Sequence, residues 1–369
     1  CAEGHYGNLC SKCIQGWGKT RDNDGCIDCS KNWKMYIGVI ILLIFNLFLI
    51  SLSLRSALRS ATRAPSIDAI NKSILMRILM NYLQITSIID QLPVRWPGSV
   101  EDTAEVTQNV AVASDMFNTE CFYTMIDAIS SIPRPFLRLL IFNLLPFFFA
   151  ILAVIFWIIF FVLNKKKKDK TLLRYIMTTI TIIWFNMHPK LIQQNFKLLG
   201  CKNLYREDTP LDFLTLDYDI PCWNSNHLAW VYSLGMPALI LWVLIIPSVV
   251  FFQLHRNKDS LNSEQLRSKY SFFYRGYVPK NYYWEFIILI RKYLLLVIVI
   301  FGANWSVRLQ VYLSLYVILF SYILQTKHKP YINDLLNRFE IKGLICAGIF
   351  NFTGFSYYSR ENTETFWTI

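Results

Sequence analysis

Long apolar stretches separated by shorter polar segments are the dominant pattern of this 369-residue chain. The clearest stretches cover residues 35–54, 136–163, 228–252, 283–301 and 307–324, and three more polar ones cover residues 73–92, 172–199 and 341–357. A helix needs about 20 mainly apolar residues to cross the hydrocarbon core of a bilayer. The pattern therefore predicts an all-α polytopic membrane protein with about eight transmembrane helices.

One of these stretches has two interpretations. Residues 73–92 contain Arg77, Asn81, Gln84 and Asp90 among apolar residues. Such a segment either faces other helices inside the membrane or lies at the membrane surface as an amphipathic helix. The sequence leaves both interpretations open.

The charge of the chain alternates between its polar segments. The net charge is +12, but the basic residues cluster after the first, third, fifth and seventh predicted spans, at 55–63, 165–174, 256–280 and 327–338. The intervening segments at 101–115 and 207–219 are acidic. Basic residues accumulate on the cytosolic side of membrane proteins. The pattern therefore favours a lipid bilayer, not nucleic acid, as the partner of the basic residues, and it predicts that the N-terminus is extracellular.

The first 30 residues form a cysteine-rich segment of their own. They contain five of the nine cysteines: Cys1, Cys10, Cys13, Cys26 and Cys29. The spacing C-x2-C-x12-C-x2-C also occurs in zinc sites, but the surrounding glycines and aromatic residues favour an EGF or laminin-type disulfide module. We predict an extracellular module over residues 1–30, the end of a longer ectodomain, and a transmembrane domain over residues 31–369.

Two further features belong to the predicted outer loops. Cys201 and Cys222 flank an acidic loop and are predicted to pair with each other, with Cys121 as a rival partner. Asn304 begins the glycosylation sequon Asn-Trp-Ser in a very short outer loop. Both features fit a protein of the plasma membrane, with the ciliary membrane as a candidate location.

No combination of residues typical of catalysis is present. The chain has no phosphate-binding loop, no serine-hydrolase or kinase signature and no zinc-protease motif, and its five histidines are scattered. We therefore expect neither enzymatic activity nor a cofactor or metal site.

Charged residues inside predicted spans are the strongest internal signal, because a charge at that depth is costly unless it is paired or hydrated. Arg291 and Lys292 lie in the middle of the sixth span, and Asp90 is predicted as their buried carboxylate partner, with Glu340 nearer the cytosolic end. The sequence His188-Pro189 predicts a kink or break in the fourth span. Candidates for an intramembrane polar or gating role are Arg77, Asp90, His188, Glu285, Arg291 and Glu340. These residues either form a gate or ion path or are structural pairs.

The order of motifs resembles that of a group of protist, especially ciliate, surface proteins with a cysteine-rich repeat ectodomain and a polytopic domain. The motifs are C-x2-G-x2-G-x2-C-x2-C from residue 1, NMHPK at 186–190, CWNSNH at 222–227, LGMPALILW at 234–242, GYVPKNYYWEF at 276–286 and HKPYINDLLNRFE at 328–340. The layout is similar to that of ciliate mating-type recognition proteins with growth-factor-receptor-like repeats. The membrane part loosely resembles TRP-like channel domains.

Two functional hypotheses follow. The first is a cell-surface recognition or sensory protein, whose spans anchor and assemble the cysteine-rich ectodomain, alone or with other membrane chains, for an extracellular ligand or a partner-cell protein. The alternative is a TRP-like or anoctamin-like ion channel or transporter, with a hydrated path lined by residues such as Arg77, Asn81, His188 and Arg291.

Overall fold

Long helices dominate the computed structural model, which describes residues 1–19, 25–29, 67–94, 132–163, 170–204, 211–261, 270 and 273–367. The predicted span at 35–54 and Cys121 lie outside the described residues. The long helices are α1 Ile67–Ile89, α2 Arg134–Leu163, α3 Lys170–Lys197, α4 Ser225–Arg256, α5 Trp284–Phe301, α6 Val307–His328 and α7 Asp334–Trp367. The mostly helical fold is as predicted.

Four segments in the described part of the chain are long and apolar enough to cross a membrane: Arg134–Leu163, Ser225–Arg256, Pro279–Asn304 and Val307–His328. The stretches predicted at 73–92, 172–199 and 341–357 lie in α1, α3 and α7, which are helical but more polar. Helices that contact other helices tolerate polar side chains, and α1 packs against α5 and α7. The total of eight spans therefore stays a prediction.

The outer surface of α2 indicates whether water or lipid is the more favourable surrounding for the bundle. Phe147, Ile151, Ile155 and Phe156 of α2 are all exposed, and α2 packs mainly against α3. A row of exposed apolar side chains of this length is unfavourable in water and favourable in lipid. The surface supports membrane association.

Prolines affect α3 and α4 differently. In α3 the helix continues through Pro189, so of the predicted kink or break at His188-Pro189 the break does not occur, and the kink stays a prediction. In α4, wide π-helical turns at Val231–Gly235 and Ile240–Ile245 precede Pro237 and Pro247. A proline ring clashes with the carbonyl group four residues earlier, and a wider turn is one way to relieve that clash.

The N-terminal cysteine-rich segment forms two small antiparallel sheets. Strand β1 (His5–Tyr6) pairs with β2 (Lys12–Cys13), and β3 (Trp17–Lys19) pairs with β4 (Cys26–Asp28). Disulfides join Cys1 to Cys10 and Cys13 to Cys26, and Cys29 is also disulfide-bonded. Gly4 has φ +81°, and a side chain there would overlap the Trp17 ring. The segment is a disulfide-bonded module, and its assignment to the EGF or laminin type stays a prediction.

A second disulfide-bonded sheet lies between α3 and α4. Its strands are β5 (Cys201–Leu204), β6 (Leu211–Leu214) and β7 (Asp217–Pro221), in the order β5-β6-β7 and antiparallel throughout. A disulfide joins Cys201 to Cys222. We call β5 to β7, with this disulfide, the outer sheet. Asn304, in the loop between α5 and α6, donates to the carbonyl of Cys201 and accepts from the amide of Asn203, both at 3.0 Å.

The opposite end of the bundle joins two loops that the charge pattern assigns to the cytosol. Tyr277 and Tyr331 form a β-bridge, with hydrogen bonds from Val278 N–H to Pro330 O (2.8 Å) and from Ile332 N–H to Gly276 O (3.0 Å). The two loops predicted to be outside contact each other, and so do two loops predicted to be inside. The arrangement is compatible with the orientation derived from charge.

Candidate functional site

A buried ion pair connects α5 to α7. Arg291 Nη2 lies 2.9 Å from Glu340 Oε1, and the two side chains are only 6% and 4% exposed. The predicted partner of Arg291, Asp90, directly follows the last residue of α1, and the carboxylate that Arg291 meets is that of Glu340. Asp90 as the carboxylate for Arg291 is therefore wrong, and the second candidate, Glu340, is right.

A second ion pair connects α1 to the first turn of α5. Arg77 Nη1 lies 3.4 Å from Glu285 Oε2, and Glu285 is fully buried. The hydroxyl of Tyr277 donates to the same carboxylate oxygen at 2.8 Å, and the Arg77 guanidinium lies 4.9 Å from the centre of the Tyr277 ring. Arg77 also donates to the carbonyl of Arg275 at 3.3 Å. This pair joins α1, α5 and the loop before α5.

The third buried cation, Lys292, is held by amides. Its Nζ donates to Asn81 Oδ1 and to Gln84 Oε1, both at 2.6 Å. On α1, Asn81 and Gln84 are three residues apart and therefore share a face. The ammonium group also lies 5.5 Å from the centre of the Phe185 ring of α3. Lys292 thus contacts both α1 and α3.

Together these contacts fix the arrangement of the bundle. Removing one member of a buried ion pair is far more costly than never having the pair. The two pairs and the Lys292 contacts must therefore form together, and they select one packing of α1, α3, α5 and α7. We call this set the charge network; its residues are Arg77, Asn81, Gln84, Glu285, Arg291, Lys292 and Glu340.

His188 belongs to a neighbouring polar contact between α3, α4 and α5. Its Nε2 lies 3.0 Å from the carbonyl oxygen of Trp242 and 3.1 Å from the hydroxyl of Tyr293. The Trp242 indole donates to Asn143 Oδ1 at 3.0 Å, and Asn143 and Asn195 exchange two amide hydrogen bonds at 3.1 Å. His188 is a buried residue that holds helices together in this arrangement.

On the outer side, the cysteine-rich module docks onto the outer sheet. Lys12 Nζ lies 3.2 Å from Asp217 Oδ2 and 3.1 Å from Asp219 Oδ2. The backbone N–H of Asn8 donates to Asp219 Oδ1 at 2.7 Å, and its side chain donates to the carbonyl of Tyr218 at 3.0 Å. We call these contacts of Asn8 and Lys12 with residues 217–219 the outer junction.

Electrostatics strengthen the outer junction. Burial alone would lower the pKa of Lys12, but the carboxylates of Asp217 and Asp219 outweigh it and raise that pKa above 10.5. Burial alone would raise the pKa of Asp219, but the Asn8 amide and Lys12 lower it below 3.8. Both groups therefore remain charged over the whole neutral range.

One group of residues has the composition of a metal site. Sulfur atoms of Cys201 and Cys222 and a ring nitrogen of His227 lie within 4.8 Å of one another. The sulfurs are bonded to each other, His227 Nδ1 accepts from Trp223 N–H, and Nε2 donates to Leu198 O. Since the sulfurs and both ring nitrogens are occupied, this arrangement fits a structural disulfide and not a metal centre.

One curated protein is similar to most of this chain. Cysteine repeat modular protein A of Toxoplasma gondii is 23% identical over 363 residues of alignment. The match covers 81% of this chain and 11% of that protein. No protein-family model matches the chain, and no solved structure matches it.

The comparison supports part of the expected resemblance. A cysteine-rich relative from a protist, the disulfides near the N-terminus and the apolar helices fit a surface protein with a cysteine-rich module. The expected similarity to ciliate mating-type proteins is not shown. The chain spans about a tenth of the length of this relative, so what the whole relative does is not transferred to it.

The predicted site residues therefore separate into groups. The intramembrane candidates Arg77, Glu285, Arg291 and Glu340 come together in the charge network, whereas His188 lies in the adjacent contact and Asp90 beyond α1. Cys201 and Cys222 pair with each other, as their positions on either side of the acidic loop predicted. The Asn304 side-chain nitrogen, the atom that a glycan would modify, donates to the outer sheet.

The outer junction does not follow from the sequence pattern. Lys12 lies in a polar segment with other charged residues, and Asp217 and Asp219 are two of several acids in their loop. One sequence feature points to this contact: Lys12, between Cys10 and Cys13, is complementary in charge to the acidic loop at 207–219, which is predicted to lie on the same side of the membrane. Complementary charge suggests a contact but cannot identify which residues meet.

Proposed function

We propose that this chain is the membrane-proximal and membrane-spanning part of a cell-surface recognition or sensory protein, and that its helices anchor and hold a cysteine-rich ectodomain. The outer junction is the observation that carries the proposal. The module does not only precede the bundle in sequence; Asn8 and Lys12 contact a sheet built between two helices. The module is therefore held in a defined position and is not merely tethered.

The outer sheet is itself fixed to the helices, which supports a mechanical connection. Leu214 of β6 is fully buried and packs with Phe136 of α2 and with Leu198, which directly follows α3. His227, near the start of α4, donates to the carbonyl of Leu198 at 2.9 Å. A displacement of the module would therefore reach the outer ends of α2, α3 and α4. This is the connection that a sensory role requires.

The proposed setting follows from the same features. We propose a plasma-membrane location with the module outside, partners among other membrane chains, and an extracellular ligand or partner-cell protein bound by further cysteine-rich repeats. We propose no enzymatic activity. The exposed apolar surface of α2 provides contact with lipid or with a neighbouring chain.

The channel alternative is less well supported by the contacts of its predicted lining residues. Arg77, Asn81, His188 and Arg291 are at most 7% exposed and bond to neighbouring helices. An ion path needs polar groups that face water. Whole-cell recording of the expressed chain separates the two functions: we expect no selective current, and a current abolished by Arg291→Ala with unchanged surface expression would favour the channel.

A zero-length carbodiimide cross-linker on intact cells tests the proposed docking, because it joins an amine to a carboxylate only where they touch. We expect mass spectrometry to find an amide bond between Lys12 and Asp217 or Asp219. Lys12→Arg keeps the ion pair but removes the reactive amine, so the product should disappear. The exchanged pair Lys12→Asp with Asp219→Lys should restore it. No product in the native chain at full surface expression would overturn the proposal.

A further inference from the structure

Two buried amide groups next to Lys292 have hydrogen-bond donors without acceptors. Asn81 is 0% exposed and Gln84 is 1% exposed, and their oxygens both accept from Lys292 Nζ. Their nitrogens, Asn81 Nδ2 and Gln84 Nε2, have no hydrogen-bond partner among the described residues. Buried amide hydrogens are nearly always bonded, so two adjacent exceptions on one face of α1 indicate that an acceptor belongs there.

The charge of the same place points to the kind of acceptor. Arg77 pairs with Glu285, and Arg291 pairs with Glu340. Lys292 is 2% exposed, and in the described part of the chain no carboxylate lies within ion-pair distance of its Nζ. When Lys292 is protonated, the charge network contains three cations and two carboxylates, which leaves one positive charge without a negative counterpart among these residues. A buried uncompensated charge is strongly unfavourable.

We propose that Lys292, Asn81 and Gln84 form a binding site for one small monovalent anion, such as chloride, between α1 and α5. Lys292 supplies the positive charge and has one N–H left after its two hydrogen bonds to the amides. Asn81 and Gln84 direct their oxygens to Lys292, which leaves their N–H groups to donate to the anion. A single charge matches the surplus, and the nearly complete burial of the three side chains selects a small ion over an organic anion or a lipid headgroup.

This site is independent of the proposed surface function and gives the network a further property. With the anion bound, every charge among Arg77, Glu285, Arg291, Lys292 and Glu340 is balanced. We therefore expect halide binding to stabilise the packing of α1 against α5.

Thermal unfolding of the purified full chain in detergent tests the site. Samples contain sodium chloride, sodium bromide or sodium gluconate at equal ionic strength, because gluconate is too large for the site. We expect the halides to raise Tm by about 2–5 °C in a saturable way. Lys292→Met should lose this halide effect. Lys342→Met, which removes an exposed cation of α7, should retain the effect.

Two results would overturn the proposal. The first is equal Tm in chloride and gluconate for the native chain, which would mean that an internal water satisfies the amides. The second is a halide effect that Lys292→Met retains, which would mean that halides act elsewhere on the protein. If Lys292→Met does not fold, equilibrium binding of chloride-36 to the native chain decides: saturable binding supports the site, and none up to about 100 mM excludes it.

Discussion

The sequence indicates that Arg291 needs a carboxylate partner, but it does not indicate that this partner is Glu340. A cation in the middle of an apolar span must be compensated, and this much followed from the sequence. The sequence favoured Asp90, but the actual partner is Glu340 on α7. Which carboxylate pairs with Arg291 depends on which helices are neighbours. Helix α5 contacts α1 and α6, and α7 packs against both of these helices, so α7 lies close to α5.

Neutralising Glu340 alone should destabilise the protein strongly. Glu340→Gln keeps the size of the side chain but leaves Arg291 as a buried cation without a carboxylate, at a cost of about 3–5 kcal/mol in free energy of unfolding. The double variant Arg291→Gln with Glu340→Gln removes both charges and should recover most of that loss. Unfolding in detergent, followed by size-exclusion chromatography after heating, provides the measurement. Equal stability of the single and double variants would contradict the pairing.

The outer junction should depend on pH through Asp219 and Lys12. The pKa of Asp219 is lowered by docking, so its contribution is complete above its ordinary value of 3.8 and is lost as pH falls through the docked value. The pKa of Lys12 is raised, so its contribution is complete below 10.5 and is lost as pH rises through the docked value. Docking should therefore be constant from about pH 5 to pH 9 and weaken outside that range.

Energy transfer between dyes attached by click chemistry at the exposed positions Gln15 and Leu211 reports this docking. We expect the transfer efficiency to fall below about pH 4. Asp219→Asn should lower the efficiency at neutral pH and reduce its acid dependence. An acid transition that persists unchanged in Asp219→Asn would assign the effect to another group.

At the scale of elements, sequence patterns predicted most helices but not their local geometry. Apolar length sufficed for α2, α4, α5 and α6, which lie in the segments that are long and apolar enough to cross a membrane. It was less decisive for α1, whose Arg77, Asn81 and Gln84 point into the bundle and make its composition resemble that of a surface helix. The prolines were visible, yet whether a proline breaks a helix, as predicted for Pro189, or follows a wide turn, as Pro237 does, depends on packing.

Gly276 makes the inner loop before α5 possible, and its replacement should be costly. It has φ +90°, and a Cβ atom there would overlap the side chain of Ile74 in α1. Gly276→Ala should therefore lower the free energy of unfolding by about 2–4 kcal/mol, from the left-handed backbone and the overlap together.

Gly16 offers a matched control for that substitution. It has a similar φ of +84°, but nothing lies within 4 Å of an added Cβ. Gly16→Ala should cost only the backbone strain, about 1–2 kcal/mol. Thermal unfolding of both variants separates the two terms. Equal costs at the two positions would show that the contact with Ile74 relaxes without penalty.

At the scale of the whole molecule, the two ends of the bundle carry different chemistry. One end has the disulfides, the acidic outer sheet and the docked module, and the other has the bridge between Tyr277 and Tyr331. Cysteine chemistry and charge bias suggested these sides independently, since disulfides persist outside the cell and basic loops remain inside. The contacts within each end could not be predicted, because they join segments that are far apart in the sequence, such as Asn203 and Asn304, which are 101 residues apart.

The orientation predicts which native lysines react from outside the cell. A membrane-impermeant amine reagent on intact cells should modify Lys12 and the exposed Lys202, which lie on the module and the outer sheet. Lys280, Lys327 and Lys329 are also exposed, but they lie at the inner end and should react only after permeabilisation. Mass spectrometry of tryptic and chymotryptic peptides quantifies each site.

The same experiment contains its own control, because all five lysines are present in one unmodified chain. Lys12 is engaged by two carboxylates and should react more slowly than Lys202, whereas Asp217→Asn with Asp219→Asn should bring its reactivity closer to that of Lys202. Modification of Lys327 and Lys329 in intact cells, at the level seen for Lys202, would reverse the orientation. That outcome would place the docked module and its disulfides in the cytosol, where disulfides rarely persist, and the surface function would fail with it.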